Sequence, residues 1–236
     1  MSKLKIIFII LSVGSIQSYA QDLIFSDSNF FKAILNYQPS IDQNGDGIIQ
    51  KNEAETVREL NLMDQHLTSI QDIYFFPNIK KLIVTGNDLV SVKLEGLDSL
   101  VKFYIAGNQL VSLELALPAL KDLACGKNSL KTISLENLPN LEVFNCMAND
   151  LSELDLRSSK KLRSLNLSNN DFTQLDISQN KALIQLIIDG NPLKSLDITF
   201  NSALKVNLLY IDENVELIGT PEQLKTPVAK TLIQSK

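Results

Sequence analysis

The side chains of this chain best suited to chemistry lie between positions 42 and 53. Asp42, Asn44 and Asp46 alternate there, Gly47 follows, then Ile48 and Gln50, and Glu53 closes the run. This fits the calcium-loop pattern D-x-[DN]-x-[DN]-G-x₅-E at every position. The spacing has a physical reason, because a hard divalent cation takes roughly six to eight oxygen ligands. Asp42, Asn44 and Asp46 would offer side-chain oxygens, and Gly47 permits the sharp turn. Ile48 would offer its carbonyl, Gln50 occupies a position often bridged by water, and Glu53 can close the shell with two oxygens. Calcium is therefore the expected cofactor, against the plainer alternative of an Asn/Gly/Asp-rich turn that meets no metal. A structural role is expected, since a switch needs paired loops and a helix rearrangement and the chain has one loop.

The remaining candidates are weaker. Cys125 and Cys146 lie 21 residues apart, at equivalent positions of a repeat described below. Neighbouring strands are about 4.8 Å apart, so a disulfide is geometrically conceivable. Two buried thiols acting as small apolar residues is the expected reading. His66 is the single histidine, so neither a Ser/His/Asp nor a Cys/His catalytic set can be assembled, nor a His-based zinc site. Asp155, Asp176 and Asp197 share one repeat position, with Glu114 further up, and read as a solvated charged stripe. No Gly-rich phosphate loop is present, and nothing supplies nucleophile, base and orienter together. No catalytic residue is assigned, and the chain is not expected to be an enzyme.

What must position these residues is a repeat. Leucine accounts for 39 of 236 residues, whereas Gly (9) and Pro (7) are scarce. An apolar fraction of 44% excludes a disordered chain, and a net charge of −5 argues against a nucleic-acid binder. From Ile79 the chain divides into units beginning at Leu100, Leu120, Leu141, Leu162, Leu183 and, degenerately, Leu204; an earlier unit begins at Val57. Each reads L-x-x-L-x-L-x-x-N-x-L-x-x-L-x-L over 20–22 residues. The ninth position holds Asn87, Asn108, Asn128, Asn149, Asn170 and Asn191, with Gln65 and Asp212 at the two ends. A buried turn leaves backbone groups without partners, at about 1–3 kcal/mol each. An amide side chain carries donors and an acceptor and can satisfy them, so a stacked asparagine row is expected.

This pattern resembles the leucine-rich-repeat family, over about residues 57–212, with units as short as those of internalin-like bacterial surface proteins. The resemblance implies an α/β repeat solenoid with short parallel strands on its concave face. Positions 14 and 16 of each unit are apolar, as in Leu113/Leu115 and Leu175/Ile177, so the convex side should be mostly extended or turn-like. The loop at 42–53 resembles an EF-hand, as also found in dockerin modules. Residues 21–56 are expected to form a small helical N-terminal cap, with a helix near Ser28–Leu35 and a second over Glu53–Arg58. Residues 57–211 should hold the repeats, about seven to eight units, and 212–236 a C-terminal cap and tail. At the N-terminus, Lys3 and Lys5 precede the apolar run Ile6–Val13, and Ser18-Tyr19-Ala20 places small residues before Gln21. This reads as a signal peptide over 1–20. Its removal takes two lysines and no acid, leaving 20 basic against 27 acidic side chains, a charge of −7. Export to the periplasm, the cell surface or the medium is expected, with no membrane span.

Repeat positions 4 and 6 should face inward, so 5 and 7 project from the sheet. The expected partner-binding residues are Ile83, Tyr104, Asn145, Met147, Asn166, Ile187, Asp189, Leu208 and Tyr210. A repeat scaffold of this kind is expected to bind a protein partner, with a glycan second. The alternative is a structural or adhesive spacer, or a glycan-binding accessory protein, without catalytic activity.

Overall fold

The computed structural model describes residues 21–225 and the backbone of residues 229–231. The expected signal peptide over 1–20 and the remainder of the tail lie outside the described residues.

The N-terminal segment begins with the helix Ser28–Leu35. Asp27 caps it: one Asp27 carboxylate oxygen accepts from the backbone N–H groups of Asn29 and Phe30, each at 2.8 Å, satisfying donors that a helix start leaves free. Phe30, Ala33 and Ile34 are buried, and Phe25 packs edge-on against Phe75 with ring centroids 5.1 Å apart. Buried Asp72 accepts from the Ser26 N–H, the Ser26 hydroxyl and the Asp27 N–H at 2.8–2.9 Å. A second helix spans Lys51–Ala54, earlier than the expected Glu53–Arg58. It starts there because Glu53 reaches back to accept the Gln50 N–H at 2.9 Å, which is how a third-position carboxylate stabilises a helix entry.

Among the described residues, nine short strands then stack into one parallel sheet. Eight of them begin at Glu59, Lys81, Lys102, Asp122, Val143, Ser164, Gln185 and Leu209, and the ninth is Ala229–Thr231. Each of the first seven spans three residues whose central side chain is buried: Leu60, Leu82, Phe103, Leu123, Phe144, Leu165 and Leu186. The return side carries paired strands only at its ends, Ser91–Glu95 with Ser112–Ala116 and Ser195–Asp197 with Glu216–Ile218. Between them the chain is extended or turned. A single coil buries its apolar face only against its neighbours, so the core is one continuous column from Phe30 to Val215.

The asparagine row is present and its bonding is regular. Asn170 donates to the carbonyls of Cys146 (3.1 Å) and Leu167 (3.0 Å) and accepts the Leu151 N–H at 3.0 Å. Asn108, Asn149 and Asn191 repeat these contacts one coil apart. Each amide thus ties its own coil to the one before it. Gln65 lies exposed outside this row.

The final unit departs from the expected frame. Counting from Leu204 would place Asn207 inward and Leu208 on the open face. Instead Val206–Leu208 forms a 3₁₀ turn, and Leu209 and Tyr210 align with Leu186 and Ile187. The observed frame buries Leu209 and Ile211 completely and leaves Asn207 exposed. Leu209 faces inward in either frame, so the observed one gains the burial of Ile211, worth about 1.5–3 kcal/mol, and avoids burying the unmatched amide of Asn207, which would cost. Asp212 then turns inward and accepts the Gly190 N–H at 2.8 Å.

Candidate functional site

The open face of the sheet aligns the expected binding residues strand by strand. Ile83 pairs with Tyr104, Tyr104 with Ala124, Ala124 with Asn145, Asn145 with Asn166, Asn166 with Ile187, and Ile187 with Tyr210. One row therefore crosses the sheet, with apolar or aromatic groups toward both ends and amides in the middle. Leu208 stands outside it, in the 3₁₀ turn before the strand. Met147 and Asp189 sit one step further along their coils and are half-buried. The Met147 N–H donates to the Asn145 side-chain oxygen at 3.2 Å. A Cβ added at Gly126 would come within 2.8 Å of the Met147 carbonyl oxygen and 2.9 Å of its Cγ, so Gly126 leaves the space that Met147 occupies.

Polar contacts hold this face in place. The Tyr104 hydroxyl donates to Asp122 at 2.6 Å. Partial burial, reinforced by the Asp122 carboxylate accepting that proton, pushes the Tyr104 pKa up to about 12. Asn166 accepts both the Ser168 N–H (3.0 Å) and its hydroxyl (2.9 Å), which fixes the amide. Asp122, Ser168 and Gly126 are positioning residues that repeat phase alone does not single out, because each acts through a neighbouring coil or a local turn.

The loop at 42–53 is closed by its own donors. Asp42 accepts the N–H groups of Gly45 (2.8 Å) and Gly47 (2.9 Å), Asn44 accepts that of Asp46, and Asp46 accepts that of Ile48. The Ile48 N–H, the largest influence on Asp46, holds its carboxyl below the usual range. Gly45 and Gly47 take positive φ, +73° and +81°, a region that favours glycine. Glu53 is buried and accepts the Gln43 and Gln50 N–H groups at 2.7 and 2.9 Å. The amide groups of Asn44 and Gln50 point at one Asp46 oxygen. Among the described residues no group of three or more His, Cys, Asp or Glu side chains is placed to hold a metal ion. The oxygen-only donor set with three carboxylates fits a hard cation in chemistry. To bind one, Asn44 and Gln50 would have to turn their carbonyl oxygens inward.

The acidic stripe has a local task. Asp155, Asp176 and Asp197 each accept the N–H two residues ahead, at 2.8–2.9 Å, closing a turn on the return side. Arg157 binds Asp155 through its side chain and holds that carboxyl down at about 2. His66 is exposed, with Asp88 at 3.3 Å.

No protein-family profile matches the chain, and no curated protein matches it. Among solved structures it is similar to a leucine-rich-repeat protein of Leptospira interrogans, with a TM-score of 0.64 at 21% identity. The alignment covers 78% of this chain and 58% of that one, so the chain spans less than two thirds of that protein's length. The fold is that of a leucine-rich-repeat solenoid. The row from Ile83 to Tyr210 lies on the open face of the nine-stranded sheet, and the Asp155, Asp176 and Asp197 turns lie on the return side. No described helix is long and apolar enough to cross a membrane.

Proposed function

We propose that this chain is an exported protein-binding module that recognises a partner through the concave face, with a structural calcium site in its N-terminal segment. The observation that carries this reading is the unbroken cross-strand row, in which Tyr104 and Ile187 flank the amides of Asn145 and Asn166. Aromatic and apolar anchors beside fixed hydrogen-bonding groups are the composition that concentrates binding energy at interfaces. Met147, Asp189 and Tyr210 extend the surface. Export is proposed from the basic, apolar and small-residue sequence of residues 1–20. The module is proposed to be non-catalytic, because the one histidine is exposed beside a single aspartate.

Asp42, Asn44, Asp46, Gln50, Glu53 and the Ile48 carbonyl would hold the calcium ion, which would crosslink the loop between the two N-terminal helices. The binding reading is tested by affinity capture of partners from the native extracytoplasmic fraction, comparing wild type with Tyr104→Asp and Ile187→Asp. Partner recovery should fall at least tenfold for both variants while melting curves stay within a few degrees of wild type. Full recovery by both folded variants would exclude this face.

A further inference from the structure

Cys125 and Cys146 occupy the same inward position of two neighbouring coils, where other coils place Leu62, Val84, Ile105, Leu167 and Ile188. The strands before them pair in register, Ala124 opposite Asn145, and the residue just after each strand is a cysteine. Both thiols are free and fully buried, and their sulfurs lie 3.1 Å apart. That is about 1 Å longer than a sulfur–sulfur bond, and the strand spacing of about 4.8 Å falls within the Cα range that disulfides span. The contact has the geometry of a weak hydrogen bond from the Cys125 thiol to the Cys146 sulfur.

We propose that Cys125 and Cys146 are a modification site: an inter-coil disulfide that staples the middle of the solenoid, closed by exchange with a small-molecule disulfide as the chain folds. One cysteine thiolate attacks the small disulfide, giving a mixed disulfide and releasing one small thiol. The second cysteine thiolate then attacks the protein sulfur of that mixed disulfide, forming the Cys125–Cys146 bond and releasing the second small thiol. The two protein thiols are oxidised, the small disulfide is reduced to two thiols, and the two protons pass to the departing thiolates. Timing follows from burial. Once the coils are stacked neither sulfur meets solvent, and burial holds the Cys125 thiol well above its ordinary pKa, protonated and unreactive. Exchange therefore belongs to the folding chain, and the finished bond is shielded from soluble reductants. The position matters because a repeat array loosens coil by coil from its ends, and a covalent link between two central coils blocks that separation whatever the array binds.

The test is refolding of the reduced full-length chain with and without oxidised glutathione, followed by denaturation in an alkylating agent and intact-mass measurement. Refolding with glutathione disulfide should yield a species two hydrogens lighter than the reduced chain, free of alkyl groups and of glutathione, which melts at a higher temperature than the reduced protein. Cys125→Ala and Cys146→Ala, refolded alike, should each carry one alkyl group or one glutathione, never the two-hydrogen loss, and should show no rise in melting temperature on oxidative refolding. The reduced, already folded protein exposed to the same glutathione disulfide should oxidise at least tenfold more slowly than the refolding chain. Two alkylated thiols after oxidative refolding, a separate glutathione on each cysteine, or an oxidised form that melts below the reduced one would overturn the proposal.

Discussion

Tyr104 shows what a single side chain reveals once its neighbours are placed. Its phenol is raised from 10.0 to about 12, first by partial burial and then by donating to Asp122. A folded-state value above the unfolded one means that the neutral form is favoured in the fold. The associated stability is complete below pH 10 and declines as the pH rises through about 12. Asp122→Asn removes the acceptor charge but leaves the burial, so the titration midpoint should drop below 12 without reaching the ordinary value. The difference in tyrosinate absorbance between each protein and its Tyr104→Phe counterpart measures this. An unchanged midpoint in Asp122→Asn would show that the carboxylate has no part in it. Tyr104 was legible in the sequence as a face residue by its repeat phase. Asp122 begins the neighbouring strand, two residues before the Ala124 that pairs with Tyr104, so its contact crosses between strands and depends on two side chains meeting.

At the scale of the coil, the asparagines are the connecting parts. Asn149 donates to the Cys125 and Cys146 carbonyls and accepts the Leu130 N–H. Asn149→Ala strands these buried groups at about 1–3 kcal/mol apiece, partly relieved by relaxation, so a loss of about 2–4 kcal/mol is expected. Urea unfolding should show it, with Gln65→Ala within about 0.5 kcal/mol of wild type because Gln65 is exposed. A small loss at Asn149 would mean that water replaces the amide. A second buried column escaped the sequence reading. The residue three before each unit's start runs Phe76, Leu97, Leu117, Leu138 and then changes to Ser159, Asn180 and Asn201. Asn180 donates to the Leu156 and Ser159 carbonyls, Asn201 to those of Ile177 and Asn180, and Gln223 of the short helix Pro221–Leu224 to those of Ile198 and Asn201. The signal was present as Asn180 and Asn201, spaced 21 apart. It lay outside the leucine motif and changed from apolar to polar midway, which hides a column from pattern matching. The turn after each strand hides its demand in another way. Asp64, Lys127, Ala148 and Asn169 share a left-handed backbone with Gly86, Gly107 and Gly190, so glycine alone does not mark it.

Across the whole molecule, stability is a sum over neighbours, and the N-terminal segment packs on the first coil through Asp72 and the phenylalanine cluster. The proposed calcium site sits between this segment's two helices, and binding to the folded state alone raises stability by mass action. Wild-type protein should therefore melt several degrees higher in millimolar calcium than in chelator, and Asp42→Ala should show no such difference. Identical wild-type curves in calcium and chelator would exclude the site. By itself the sequence determined the coil length, the inward positions and the asparagine row, because all three follow from a period that every unit repeats. It determined the face that carries Ile83, Tyr104, Asn145, Asn166 and Ile187 for the same reason, since alternation along a short strand has two outcomes and leucine marks the buried one. Tertiary structure decided the frame of the last coil, where Ile211 took the inward place that the period gave to Asn207. It also decided which atoms touch: Tyr104 with Asp122, Met147 over Gly126, Cys125 beside Cys146. A period specifies which position a residue takes in its coil, while packing between coils specifies what that residue meets there.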